Sequence, residues 1–205
     1  MQTLLAGYKR FRQNQWPEQQ ALFRTLAEKG QSPKALIISC IDSRVDPAMI
    51  FDTPPGDILV VRNVANLVPP YEPDRSHHGT SAALEFGVKI LQIPNIVVMG
   101  HSQCGGIRAL LDGAPDHAKD FIAPWMSIVE PARRIALQCD DAQTQQQCCE
   151  QESIKLSLKN LMAYPWIKTK VDAGHLHLYG VWFSVFTGEL TQLNAHGLFT
   201  NPEQN

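Results

Sequence analysis

The sequence predicts an α/β fold: a mainly parallel central sheet flanked by helices, with an antiparallel hairpin at its C-terminal edge. Three observations predict it. Short β-branched apolar runs at 34–40 ("KALIISC"), 57–63 ("DILVVRN") and 95–101 ("NIVVMGH") alternate with helical stretches, and strands covered on both faces read as such unbroken runs. Near the end, "HLHLYGVWFSVFTGELTQL" reads as two strands turning at Thr187–Gly188. The chain has 205 residues, enough for one sizeable core and not for two.

In order along the chain, "PEQQALFRTLAEK" (17–29) starts on Pro17 and stops at Gly30, the punctuation of a helix. With the residues before it, this forms an N-terminal helical arm (1–30). The strand at 34–40 leads to a brief helix in "DPAMIF", opened by Pro47 after Asp46. After the strand at 57–63, "VPPYEP" is a rigid loop. A helix over 79–92, the strand at 95–101 and a helix opening at "GGIRALL" (105–111) follow. Further helices are expected over 117–139 and 150–163. The glutamine-rich patch at 143–151 is read as solvated helix or loop, and no repeat is evident.

The formal net charge of −2 gives no electrostatic reason to expect nucleic acid or an anionic membrane as partner. No apolar run approaches membrane-spanning length, and the start lacks the h-region and cleavage site of a secretory signal. Five cysteines, an odd number, do not suggest a disulfide framework, so a reducing cytoplasm is the expected compartment. Cys148 and Cys149 read as helix surface, and Cys139 as a half-buried helix residue. Cys40 and Cys104 stand in more informative surroundings.

Cys40 ends the first strand, and "GHSQCGG" (100–106) places His101 and Cys104 after the third. In open α/β sheets ligands gather beyond the carboxyl ends of strands, so the two runs can reach one crevice. Alone, H-x-x-C is equally a strand-end histidine beside a helix-start cysteine. With Cys40 in this topology the three form a soft ligand set that suits zinc better than magnesium, calcium or manganese. The helix opening at Gly105 favours thiolate at Cys104. In "CIDSRVDP", Asp42 and Arg44 sit in the loop just beyond Cys40. Asp42 either closes the zinc as a fourth ligand or pairs with Arg44 and accepts a hydrogen bond from a zinc-bound water.

C-x-D-S-R at 40–44, H-x-x-C-G-G at 101–106 and "VVRNVANLVPPY" at 60–71 resemble the β-class carbonic anhydrases, from about Gln31 to Gly113 and more weakly around "LYGVWFSVFTGEL". The resemblance implies one β-carbonic anhydrase domain over 1–205, with a zinc and catalytic core at 31–113 and helices plus hairpin at 114–205. It implies zinc on Cys40, His101 and Cys104, with Asp42 a ligand only in a closed form, and a catalytic Asp42–Arg44 dyad. "QSPK" at 31–34 is similar to the plant-type branch, which makes Gln31 a substrate hydrogen-bond donor. The Gly105 N–H is a second donor, and Leu59, Val64 and Phe86 are walls of the carbon dioxide pocket. Phe86 and Ile90 stand where plant-type relatives tend to have Tyr and His. His77 and His78 are weak substitutes in proton export.

The implied activity is zinc-dependent, reversible hydration of carbon dioxide to bicarbonate and a proton through a zinc-bound hydroxide. The implied assembly is a homodimer or homotetramer with clefts at the interface, some pocket residues coming from the partner subunit. Alternatives are hydrolysis of carbon disulfide or carbonyl sulfide at the same site, a Cys104 nucleophile with His101 as base, and a non-catalytic zinc-stabilised binding module. One bacterial branch carries a regulatory bicarbonate pocket of Trp, Arg and Tyr. Here those positions are Ile37, Arg62 and Phe183, which lack two of the three donors. An open resting site, with Asp42 paired to Arg44, is therefore expected.

Overall fold

A computed structural model describes residues 1–74, 76–113 and 118–202. Among these residues six strands form one sheet in the order β2-β1-β3-β4-β5-β6. They are β1 (Ala35–Cys40), β2 (Ile58–Asn63), β3 (Asn95–His101), β4 (His177–Phe183), β5 (Leu190–Leu193) and β6 (Phe199–Thr200). The first four run parallel, and β5 and β6 are antiparallel additions at one edge. The sheet is therefore the mainly parallel one that the apolar runs predict.

Residue alternation along β1 divides the interior between the two faces. Leu36 and Ile38 pack on one side with Leu84, Ile154, Leu161 and Tyr164. Ile37 faces a second cluster that contains Met99, Ile107, Val129 and Cys149. The helices are α1 (Gln2–Arg10), α2 (Trp16–Lys29), α3 (Pro47–Ile50), α4 (Gly79–Glu85), α5 (Gly105–Asp112), α6 (Ile122–Met126), α7 (Glu130–Ala136), α8 (Ala142–Leu161) and α9 (Pro165–Asp172).

Several elements differ from the sequence reading. Helix begins at Gln2 rather than residue 17, because Pro17 interrupts a helix already under way. It supplies no N–H to the ladder, and a π-turn at Phe11–Gln15 absorbs the irregularity. Neither α1 nor α2 buries a residue, so no clean apolar stripe marks them. The expected helix over 117–139 is broken into α6, a 3₁₀ turn at Ser127–Val129 and α7; its first position, 117, lies outside the described residues. Pro131 opens α7 at its first turn. Helix α8 starts at 142, not 150, capped by Asp141, whose carboxylate accepts from Gln143 N at 2.9 Å and Thr144 N at 3.0 Å.

The glutamine patch is thus helix, and it is not solvated throughout, since Gln146, Cys149 and Glu150 are buried. Cys149 accordingly lies in the core rather than on a helix surface, and Cys139 lies just past the end of α7. The helix over 79–92 is present as α4 followed by a π-turn at Phe86–Ile90. Helix α9 and strand β6 were not expected.

Candidate metal centre

Strands β1 and β3 are direct neighbours, pairing Leu36 with Ile96 and Ser39 with Met99. Cys40 and His101 end those two strands, and a pitch of roughly 5 Å between paired strands sets them side by side. Cys104 follows across a two-residue turn (Ser102, Gln103) and becomes the N-cap of α5. The ligating atoms of Cys40, His101 and Cys104 all lie within 4.8 Å of one another, and all three residues are buried. The two sulfurs are 3.9 Å apart.

The histidine is set for one purpose. Its Nδ1 donates to the Ser102 carbonyl at 2.8 Å, which leaves Nε2 as the acceptor nitrogen. That Nε2 is buried and, among the described residues, has no hydrogen-bond partner, an arrangement that costs free energy unless something else takes the lone pair.

The sulfurs are equally provided for. Backbone N–H groups of Asp42 and Ala65 favour thiolate at Cys40, and those of Gly106 and Ile107 favour it at Cys104. Ala65 reaches its position through a positive φ of 62°, followed by Asn66 at 50°, a conformation that costs a non-glycine residue energy and needs surrounding support. Asn63 gives that support by exchanging two 2.8 Å hydrogen bonds with the Leu67 backbone.

A hydrogen bond links the two sulfurs. The Cys104 thiol's hydrogen bond pulls Cys40 down to about 4 against the opposing effect of burial. Cys104, donating to that thiolate and buried, is pushed up. Burial opposes charge on His101, yet the adjacent Cys40 thiolate outweighs it and raises the pKa. A divalent cation would take the place of these protons, and two thiolates with one imidazole are a zinc set with a free fourth position. The residues fit the metal.

Asp42 does not fill that position. Arg44 grips it in a bidentate fork, Nε to Oδ1 at 2.9 Å and Nη2 to Oδ2 at 2.6 Å, and the Arg44 backbone N–H adds a third bond to Oδ1 at 2.9 Å. The guanidinium holds the carboxyl well below the usual carboxylate range, against a smaller effect of burial. Asp42 Oδ2 is 4.0 Å from His101 Nε2, beside the ligand cluster.

Arg62 secures the loop beneath. It donates to the backbone carbonyls of Cys40, Asp42 and Val45, and to the Asp46 carboxylate at 3.5 Å. Four of its five donors are thus engaged by protein, and Ile37, in the second core cluster, is only 3% exposed.

Of the expected pocket residues, Gly105 opens α5 directly after Cys104. Val64 lies against Gly106, where an added Cβ would meet it at 2.8 Å. Val64 also borders a cavity of about 520 Å³ shared with Pro69, His77, His78, Ile122 and Trp125. Leu59 packs elsewhere, against the first core cluster beneath Gly87. Gln31 and Phe86 are exposed. Leu59 thus belongs to a different core cluster from Cys40 and Cys104, and among the described residues no hydrogen bond joins Gln31 or Phe86 to the cysteine–histidine cluster.

Sequence reasoning missed the residues behind Cys104. Glu150, 2% exposed, accepts from Cys104 N at 3.0 Å, Gln146 Nε2 at 3.0 Å and Trp182 Nε1 at 3.1 Å. Burial raises its pKa, opposed by those donors. A signal did exist: the buried positions 146, 149, 150, 153, 154, 157 and 161 recur with helical period. Four of them are Gln, Glu and Ser, so a search for apolar residues passes over the stripe.

A sequence model of the carbonic anhydrase family matches residues 35–190. The chain is 37% identical over 194 residues to beta carbonic anhydrase 3 of Arabidopsis thaliana, covering 92% of this chain and 74% of that protein. Among solved structures, the β-carbonic anhydrase CcaA superposes with a TM-score of 0.90 at 32% identity, over 98% of this chain and 92% of that one. One of two tetrameric β-carbonic anhydrases from Sordaria macrospora gives 0.73 at 31% identity, over 97% and 94%. Matching the family over most of its length and carrying a buried Cys-His-Cys cluster where two strands end, the chain belongs to the carbonic anhydrase family, as a lyase of its β class.

Proposed function

We propose that the protein catalyses reversible hydration of carbon dioxide to bicarbonate and a proton, with zinc on Cys40, His101 and Cys104. The observation that carries this is the buried ligand trio with an ionised, Arg-held carboxylate beside it. Zinc bound there supplies Lewis acidity, making a water nucleophilic near neutral pH. Asp42, an acceptor only while ionised, would accept a hydrogen bond from the attacking oxygen and so aim its lone pair at carbon. Arg44 keeps Asp42 ionised and turned away from the ligand position. The N–H of Gly105 stands at a helix start, where backbone donors have no intrahelical acceptor, and serves a bicarbonate oxygen together with Gln31. Val64, Leu59 and Phe86 wall the apolar pocket.

The separation of Gln31, Leu59 and Phe86 from the ligand trio in one chain supports a second proposal. The protein is a homo-oligomer in which these three residues complete the partner's site. Val60 on the edge strand β2 and Ile90 are 40% and 64% exposed, apolar surface of the kind an interface covers. No described helix is long and apolar enough to cross a membrane. All five cysteines are free thiols, which supports a reducing compartment such as the cytoplasm.

Metal analysis combined with a stopped-flow carbon dioxide hydration assay tests the reading. Cys104→Ser is expected to lose zinc and activity together, because a hydroxyl replaces thiolate poorly. Asp42→Asn is expected to keep one zinc per chain and lose about a hundredfold or more in turnover. A fully active Cys104→Ser protein would remove the metal assignment, and a fully active Asp42→Asn protein would reduce Asp42 to a turn residue.

A further inference from the structure

The peptide unit joining Gln103 to Cys104 is held from both sides. Its carbonyl accepts from Arg44 Nη2 at 3.0 Å. Its N–H, which belongs to Cys104, donates to Glu150 Oε1 at 3.0 Å. A trans peptide directs these two groups oppositely, so one rigid plane lies between a guanidinium and a carboxylate. Gln103 pays for this with a positive φ of 57°, which a non-glycine residue keeps only where its surroundings enforce it.

Glu150 is itself braced. It sits on α8, 2% exposed, and takes one bond from Gln146 on the same helix and one from Trp182 on β4. A carboxylate offers about four acceptor directions, and three are used. Gln146 Nε2 also approaches the Cys104 carbonyl at 3.4 Å.

We infer that Glu150 is a positioning residue for both halves of the site. It fixes the Gln103–Cys104 peptide, and that plane presents the Cys104 sulfur on one side and orients Arg44, and through it Asp42, on the other. The chain of bonds runs from Glu150 through the peptide to Arg44 and Asp42, and each link polarises the next. This deepens the zinc reading and rests on it.

Glu150→Gln keeps the shape but removes the charge, and its amide cannot accept through both ends. In a chelator competition the variant is expected to hold zinc about tenfold more weakly than the parent, in the range for groups that support metal ligands. Its kcat should fall with KM little changed, and most of that fall should vanish when Arg44→Ala is already present, because the two act through one plane. Unchanged zinc retention, or losses in kcat that multiply fully with Arg44→Ala, would overturn the proposal.

A second measurement needs no metal, so it stands apart from the zinc reading. Selective ¹⁵N-cysteine labelling gives five amide signals for five cysteines, with Cys104 identified by its loss in Cys104→Ser. The Cys104 amide should lie downfield and resist hydrogen exchange in metal-free protein. Exchange as fast as that of an exposed loop amide would show that no clamp exists.

Discussion

Asp42 accepts three hydrogen bonds from Arg44, and none of them depends on a metal. Its folded-state pKa lies below its ordinary value, so its contribution is present above the unfolded pKa of about 4 and is lost only as pH falls further. Through the neutral range the dyad therefore does not titrate. Arg62, the one member of the regulatory pocket that this chain keeps, has its donors tied to the 40–46 loop. An anion offered that arginine would have to break those bonds without the indole or phenol donors that would compensate. Hydration activity is accordingly expected to follow a single-proton curve against pH and to be indifferent to added bicarbonate beyond product inhibition. A steep, cooperative loss of activity on acidification, deepened by bicarbonate, would show that Asp42 leaves Arg44 for the metal. At this scale the Cys40–His101–Cys104 cluster and the Asp42–Arg44 pair were legible because cysteine and histidine are scarce and both groups stand at or just past strand ends. Glu150 was not, because its importance lies in a backbone N–H that no side-chain pattern reports.

Helix α8 brings its buried stripe onto β3 and β4 across two glycines. A Cβ on Gly100 would meet Ile154 Cδ1 at 2.7 Å, and one on Gly180 would meet Ile154 Cγ2 at 2.8 Å and Leu158 Cδ1 at 3.0 Å. Ile154 is fully buried, and its Cγ2 is bonded directly to Cβ, so it has no free rotor with which to yield. The close approach also sets Glu150, one turn earlier on α8, at the height of Cys104. Gly180→Ala is expected to destabilise the fold by about 1–3 kcal/mol, the usual cost of overpacking, and to loosen zinc along with it. Urea unfolding of parent and variant, each with and without zinc, measures both effects. An unchanged midpoint would mean that α8 can shift outward, and that its distance from the sheet does not position Glu150. The strands were readable because both faces of β1 and β3 are covered and their sequences are uninterrupted apolar runs. The α8 stripe was not, since the helix uses Ser153 and Ser157 where apolar residues would announce burial. Nor did Pro17 reveal its part: proline marks a helix start more often than an interruption, and here α1 already precedes it.

Over the whole molecule, the parallel sheet explains where the Cys-His-Cys cluster lies. Ligands reach the carboxyl ends of adjacent strands from β1 and β3. Leu59 and Phe86, by contrast, belong to the edge strand β2 and the π-turn after α4, and Gln31 follows the exposed arm. If these residues serve a neighbouring copy, two damaged chains can repair each other. In a mixed dimer of Gln31→Ala and Asp42→Asn subunits, one site receives both faulty groups. The other combines the intact dyad of the Gln31→Ala chain with the intact glutamine of the Asp42→Asn chain. Each variant alone is expected to hydrate carbon dioxide slowly, whereas unfolding and refolding them together should restore roughly a quarter of parental activity, half of the sites in the half of dimers that are mixed. Restoration would place Gln31 across the interface. Activity no greater than the average of the two variants, in a preparation shown by mass spectrometry to contain mixed dimers, would return Gln31 to the site of its own chain or remove it from the chemistry.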